Sequence, residues 1–122
     1  MIRIAKRVAD KSTFGRARLG AVITKNGRVL STGFNKIGFT KHLKHKNAYS
    51  CTIHAEEAAI IALLGRGRQD ILVGSTMYLS RVLRDGTSGM AKPCKNCQDL
   101  IRAVGMKRVM YTTDAGVEEW KP

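Results

Sequence analysis

The sequence predicts an α/β protein, a three-layer α/β/α domain over residues 1–122 built on a mixed sheet of four to five strands. Three observations carry that expectation. The apolar pattern alternates between helical and two-residue periods in the order helix, hairpin, helix, strand, helix, strand. Asn26-Gly27, the strongest two-residue turn signal, fixes an early antiparallel pair. Near the C-terminus, only Thr113-Asp114-Ala115-Gly116 separates two strand-like runs, and a parallel neighbour needs a crossover of about a dozen residues, so a fifth strand must be antiparallel.

Ile2 to Asp10 reads as an amphipathic helix, with Ile4, Ala5 and Val8 inward and Arg3, Lys6 and Arg7 outward. The hairpin pairs Ala21-Val22-Ile23-Thr24 with Val29-Leu30-Ser31-Thr32 across Lys25-Asn26-Gly27-Arg28. Ile53 to Leu64 is apolar on most faces and stops at Gly65, so this helix should lie deep and central. Thr76 to Val82 is the third strand, and Arg84-Asp85-Gly86 a turn. Cys94, Cys97, Leu100, Ile101 and Val104 give the inward stripe of a further helix capped by Gly105. Arg108 to Thr112 is the fourth strand, and Val117-Glu118-Glu119-Trp120 the candidate fifth.

A chain of 122 residues buries a real core without disulfides, so its three cysteines need no covalent structural role. The sequence has no signal-peptide pattern, no apolar run of membrane-spanning length, no linker and no internal repeat, and a cytoplasmic, reducing setting is expected. Charge is unevenly spread. Residues 1–46 hold 12 Lys and Arg against Asp10 alone, while residues 47–122 hold 10 against 8 acids. Such a field favours anions: nucleotide phosphates, a polynucleotide backbone, or mere solubility through self-repulsion. Lys41, His42, Lys44, His45 and Lys46 form the densest cluster, close in sequence to the motif that follows, as a substrate-facing loop would be.

Two short segments carry chemistry, His54-Ala55-Glu56 and Pro93-Cys94-Lys95-Asn96-Cys97. Cys94 and Cys97, at i and i+3 in the first turn of a helix entered through Pro93, reach one ion together. The helix N-terminus and the metal both favour their thiolates. One imidazole and two thiolates on Zn2+ leave a fourth tetrahedral position free, where a bound water is acidified towards neutrality. Glu56 points away from His54 and is placed to carry the proton. These are the parts needed for metal-assisted removal of an amine from a nucleobase. A lone Cys-x-x-Cys also suits a redox pair or half of a four-cysteine knuckle, but there is no second pair. Cys51 reads as a small buried hydrophobe rather than a ligand.

The two motifs, together with Gly20-Ala21-Val22-Ile23, Gly33-Phe34-Asn35 and the Gly105-to-Tyr111 return, resemble the cytidine deaminase-like superfamily over most of the chain. The resemblance implies one Zn2+ per chain on His54, Cys94 and Cys97, with Glu56 as catalytic acid/base. It also implies that Asn35 contacts the bound nucleoside, that backbone around Ala55 helps to hold the pyrimidine, and that the protein is a homo-oligomer, dimer or tetramer. For Asn35 the plain alternative is a polar turn residue ending its strand.

Within that superfamily the signals diverge. An antiparallel fifth strand looks like the free-nucleoside cytidine deaminases, whereas a histidine ligand is common in deoxycytidylate deaminases. The Asn-x-Glu that grips a sugar hydroxyl in the nucleoside enzymes is here Asn35-Lys36-Ile37. A basic residue there suits a phosphate better than a hydroxyl, so Lys36 is expected to contact a CMP or dCMP substrate. A free nucleoside is the next reading. The basic first half also fits single-stranded DNA or RNA, with Phe34 or Phe39 stacking on a base, although Phe34 reads more naturally as core. A metal-bearing fold without catalysis is the third class, and Glu56 speaks against it. No membrane partner is expected.

Overall fold

The structure is a computed structural model, and it describes residues 1–12, 17–37 and 52–122. Helix α1 (Ile2–Ala9) buries Ala5, Val8 and Ala9 and leaves Arg3, Lys6 and Arg7 exposed, as its pattern requires. Strands β1 (Ala17–Lys25) and β2 (Arg28–Phe34) form the hairpin, and both turn residues take positive φ, 52° at Asn26 and 78° at Gly27. A type I′ turn needs that pair of angles to match strand twist. Two residues each of β3 (Lys36–Ile37) and β4 (Thr52–Ile53) pair antiparallel and lead into α2 (Ala55–Leu64). One turn of helix, α3 (Gln69–Leu72), precedes β5 (Thr76–Leu83). Then come β6 (Ser88–Gly89), α4 (Lys95–Ala103), β7 (Arg108–Thr113) and β8 (Gly116–Trp120).

The main sheet runs β2-β1-β5-β7-β8, with β6 added on the upper half of β5. Of its pairings β5 with β7 is parallel and the others are antiparallel. The antiparallel β8 that the short 113–116 link requires is present. The sheet has one strand more than the four to five expected, because β6 is two residues long and too short to show a period. The same brevity hid α3, β3 and β4.

Alternation along the strands divides the molecule into three layers. Val22 and Tyr78 face α1 on one side. Ala21, Ile23, Met77, Leu79, Val109 and Tyr111 face the other, where they meet Ala55, Ala59, Ile60 and Leu63 of α2 and Ile101 of α4. Helix α2 is central, as its apolar faces required. It sits directly on β2: a Cβ on Gly33 would stand 2.5 Å from the Ala55 carbonyl oxygen and from the Ala59 nitrogen. The buried Ser31 Oγ donates to the Ala59 carbonyl at 2.8 Å, a second tie between the same elements.

Where β5 outruns β7, Thr112 bridges the gap. Its hydroxyl accepts the Arg81 N–H at 3.1 Å and donates to the Gly89 carbonyl at 2.9 Å, while its own carbonyl takes the Ala91 N–H at 2.9 Å. The segment that enters α4 is thereby tied to the sheet.

Candidate active site

His54 and Cys94 are the N-cap residues of α2 and α4, both with extended backbone (φ −72°, ψ 153° and φ −67°, ψ 166°). Each helix thus begins one residue after its ligand, and Pro93 lies before the cap rather than inside the first turn. Glu57, fully buried at the third helical position of α2, accepts the His54 N–H at 3.4 Å and holds the entry of that helix. On the other helix the Gln98 side chain donates to the Pro93 carbonyl at 2.9 Å.

These two helix starts converge. The His54 Nδ1 lies 3.3 Å from the Cys97 Sγ and 3.7 Å from the Cys94 Sγ, and the three donor atoms are all within 4.8 Å of one another. Tetrahedral zinc with bonds of about 2.3 Å to sulfur and about 2.0 Å to nitrogen separates its donors by roughly 3.5–3.8 Å, close to both nitrogen–sulfur spacings here, so these atoms are grouped to share one ion. Nitrogen plus two thiols is also a borderline-soft donor set, suited to zinc rather than to calcium or magnesium. Among the described residues this is the one such cluster.

Electrostatics at the metal-free site divide the two thiols. Hydrogen bonds from the Cys97 thiol, and then from His54, hold the Cys94 pKa down at about 3, so it is a thiolate. Donation to that thiolate, reinforced by burial, pushes Cys97 far up. His54 is raised as well, first by its hydrogen bond to Cys94. Burial raises Glu56, 5% exposed, although its own backbone amide, the His54 charge and a Cys97 hydrogen bond draw it partly back. Burial therefore favours the protonated carboxyl beyond what an exposed glutamate would hold.

His54, Glu56 and Cys94 open together into a cleft of about 330 Å3 whose walls include Leu19, Asn35 and Arg81. Its walls mix apolar side chains (Ala17, Leu19, Met90, Ala91) with a few polar ones, as small-ligand sites are usually built. Asn35 is in the wall, but its side chain is engaged: Oδ1 accepts the Leu19 N–H and Nδ2 donates to the Ala17 carbonyl, both at 2.9 Å. Its own N–H and carbonyl bond to the Leu19 carbonyl and to Ser12 Oγ. The side chain thus continues the β1 ladder past the end of β2. Ala55 is fully buried beneath the cleft and does not line it. Lys36 does not line it either; the ammonium is 5.7 Å from the Phe34 ring centroid, on an exposed residue. Phe34 packs on the α1 side of the sheet, the core role read for it. Lys41, His42, Lys44, His45 and Lys46, with Phe39 and Cys51, lie outside the described residues.

Six cleft residues had no place in the sequence reading: Arg81, Met90, Lys92, Ala17, Leu19 and Ala91. One signal was available for the first. Arg81 follows Met77 and Leu79 at the inward positions of a strand, where a charge is out of pattern.

Residues 1–113 match the family model of the cytidine and deoxycytidylate deaminase zinc-binding region. A deoxycytidylate deaminase of Mycobacterium phage D29 is 29% identical over 127 residues, spanning 92% of this chain and 91% of the relative. The deoxycytidylate deaminase of Saccharomyces cerevisiae is 27% identical over 133 residues, 97% of this chain but 38% of that longer protein. Among solved structures, the cytidine deaminase of Burkholderia pseudomallei superposes with a TM-score of 0.71 at 20% identity, covering 98% of this chain and 88% of the other. The dCMP deaminase of cyanophage S-TIM5 in apo form gives 0.68 at 22% identity, with 92% and 79% covered. At those identities the solved structures share the fold.

Proposed function

The chain belongs to the cytidine and deoxycytidylate deaminase zinc-binding family, and from that premise we propose that it hydrolyses the exocyclic amine of a free cytosine nucleotide, CMP or dCMP, to give the uracil nucleotide and ammonia. Its cofactor is zinc, one ion per chain, held by His54, Cys94 and Cys97. The observation that carries the reading is the convergence of those three donors, two of which, His54 and Cys94, line one cleft with Glu56. The nucleotide, as against the nucleoside, is supported by the two curated relatives, both deoxycytidylate deaminases.

Bound at this site, zinc supplies a nucleophile at neutral pH by acidifying a water. Glu56 takes the proton released as the C4–O bond forms and passes it to N3 of the ring. Glu56 then takes the proton of the new C4 hydroxyl and delivers it to the exocyclic nitrogen, the C4–N bond breaks, and its bonding pair leaves with ammonia. One water is consumed and C4 becomes a carbonyl carbon. A carboxyl whose pKa is raised by burial is a stronger base than an exposed one, and its withdrawal from solvent keeps the captured proton for the ring. The His54 and Cys94 caps also aim two helix N-termini at the site, a positive potential that favours the developing oxyanion.

The test is the loss of cytosine ultraviolet absorbance when zinc-loaded protein meets CMP, dCMP, cytidine or deoxycytidine. Nucleotide turnover should exceed nucleoside turnover, and Glu56→Ala should keep its zinc while losing at least about a hundredfold in rate. Wild-type protein inert on all four, or an active Glu56→Ala, overturns the proposal.

A further inference from the structure

Resting on the nucleotide reading above, we infer that the substrate's phosphate is gripped by Arg81, with Lys92 as second cation, and not by Lys36. Strand alternation puts Arg81 on the same face of β5 as Met77 and Leu79, two residues beyond the core and directly over the cleft that Glu56 and Cys94 share. It is held there by two neighbours at once, Leu19 of β1 and Gly89 of β6 in register. A long side chain based on a strand fixed on both sides is a pre-placed anion receptor.

Its charge is uncompensated. No carboxylate pairs with Arg81 among the described residues, although Arg18, Arg68, Arg102 and Arg108 each have one. The single hydrogen bond of the guanidinium is a long one, 3.5 Å from Nη1 to the Met90 carbonyl, and Nε is buried with no acceptor. Three N–H donors, one on Nη1 and two on Nη2, are thus open to a ligand, at the end of the planar fork that matches phosphate oxygens two at a time. Lys92, an exposed residue, stands in the same wall two residues before Cys94, while Ala91 beside it is anchored to Thr112. Glu56 is the sole acid of the cleft, and it belongs to the chemistry. Two cations without carboxylate partners, facing a site that must take a pyrimidine, are the complement of a nucleoside monophosphate.

Steady-state kinetics on dCMP and deoxycytidine, for the zinc-loaded wild type and for Arg81→Gln, Lys92→Gln and Lys36→Gln, test the assignment. In Arg81→Gln the ratio of kcat/KM for dCMP to that for deoxycytidine should fall about tenfold or more, chiefly through KM for dCMP. Lys92→Gln should lower the ratio by less, Lys36→Gln should leave it where it was, and Arg81→Lys should recover part of it. Inorganic phosphate, titrated calorimetrically into the same proteins, gives a readout independent of turnover and should bind Arg81→Gln more weakly than wild type. Equal losses on both substrates in Arg81→Gln, with wild type preferring dCMP, overturn the inference alone by making Arg81 structural. A wild type that prefers deoxycytidine overturns the nucleotide reading and the inference together.

Discussion

His54 and Cys94 cap different helices, yet the Nδ1 of one lies 3.7 Å from the Sγ of the other. An N-cap side chain hangs over the open end of its helix, so two helix starts brought together by one core deliver two ligands without any bend in the chain. Cys97, one turn into α4, closes the triangle from beneath, and its side chain is fully buried.

Loss of that buried ligand should therefore empty the site rather than loosen it. Cys97→Ala is expected to bring bound zinc, measured by elemental analysis after dialysis, to well below one ion per chain. The thermal midpoint of the variant should no longer respond to a chelator, whereas that of the wild type should drop. A variant that stays zinc-loaded would mean that another group holds the metal.

Zinc uptake should release protons in a pH-dependent way. Before metal arrives, Cys94 is a thiolate already, held at about 3, whereas Cys97 is pushed up and His54 is raised. Near neutral pH the ion must displace about one proton from Cys97 and a fraction from His54 that grows as pH falls. Apparent affinity should thus weaken on going from pH 8 to pH 6, with a slope between about one and two decades per pH unit. Competition with a chromophoric chelator across that range measures it, and a flat profile would contradict the assigned ionisation states.

The metal site and the topology were legible for a common reason: both are written in local spacing. Cys94 and Cys97 share a helical turn, Asn26-Gly27 fixes a hairpin, and the four residues before Val117 are too few for a parallel crossover. The cleft walls were less legible because they depend on non-local register. Arg81 matters only because β5 runs on to Leu83 and β6 folds back beside it, and neither event leaves a periodic trace. Asn35 was placed correctly at a strand end. Its service to β1 depends on a neighbour sixteen residues away in sequence, Leu19, whose N–H it accepts. Lys36 reads in sequence as a phosphate contact because a basic residue stands where Asn-x-Glu is expected; the residue is exposed, with the ammonium 5.7 Å from the Phe34 ring centroid.

Burial of Glu56 has a thermodynamic signature distinct from its chemistry. Its pKa in the folded protein is raised from 4.5, so the unfolded chain loses that proton first and folding stability declines as pH rises above about 4.5. Glutamine cannot ionise and is free of that penalty. Metal-free Glu56→Gln should therefore gain stability relative to metal-free wild type as pH is raised from 4 to 7, read from urea midpoints. A difference that shrinks over the same interval would show a carboxylate stabilised, not penalised, by its surroundings.

Contact between α2 and β2 leaves no room for a side chain at Gly33. In Gly33→Ala the new methyl would meet the Ala55 carbonyl oxygen and the Ala59 nitrogen, both backbone and both at 2.5 Å, so the helix must move. A cost of about 1–3 kcal/mol in unfolding free energy is expected. Because Ala55 follows His54 directly, the displacement should also weaken zinc binding, which Gly27→Ala at the open hairpin turn should not do. Equal zinc affinity in the two variants would show that the start of α2 tolerates the shift.

Asn35 stands in the cleft wall while spending its side chain on the β1 backbone, and the two duties separate by substitution. Asn35→Asp keeps the acceptor for the Leu19 N–H but sets a carboxylate oxygen against the Ala17 carbonyl oxygen, where the amide had donated. Repulsion between two acceptors and one lost hydrogen bond should cost about 1–3 kcal/mol in the metal-free protein, with no substrate present. Asn35→Ala loses both bonds and exposes the end of the β1 ladder to water, so its cost should be similar. If the residue only props the strand, both variants should lose activity in proportion to the unfolded fraction and recover it at lower temperature. A KM for dCMP that stays raised in fully folded Asn35→Ala would instead assign the amide to the substrate, with its free N–H and second lone pair turned into the cleft.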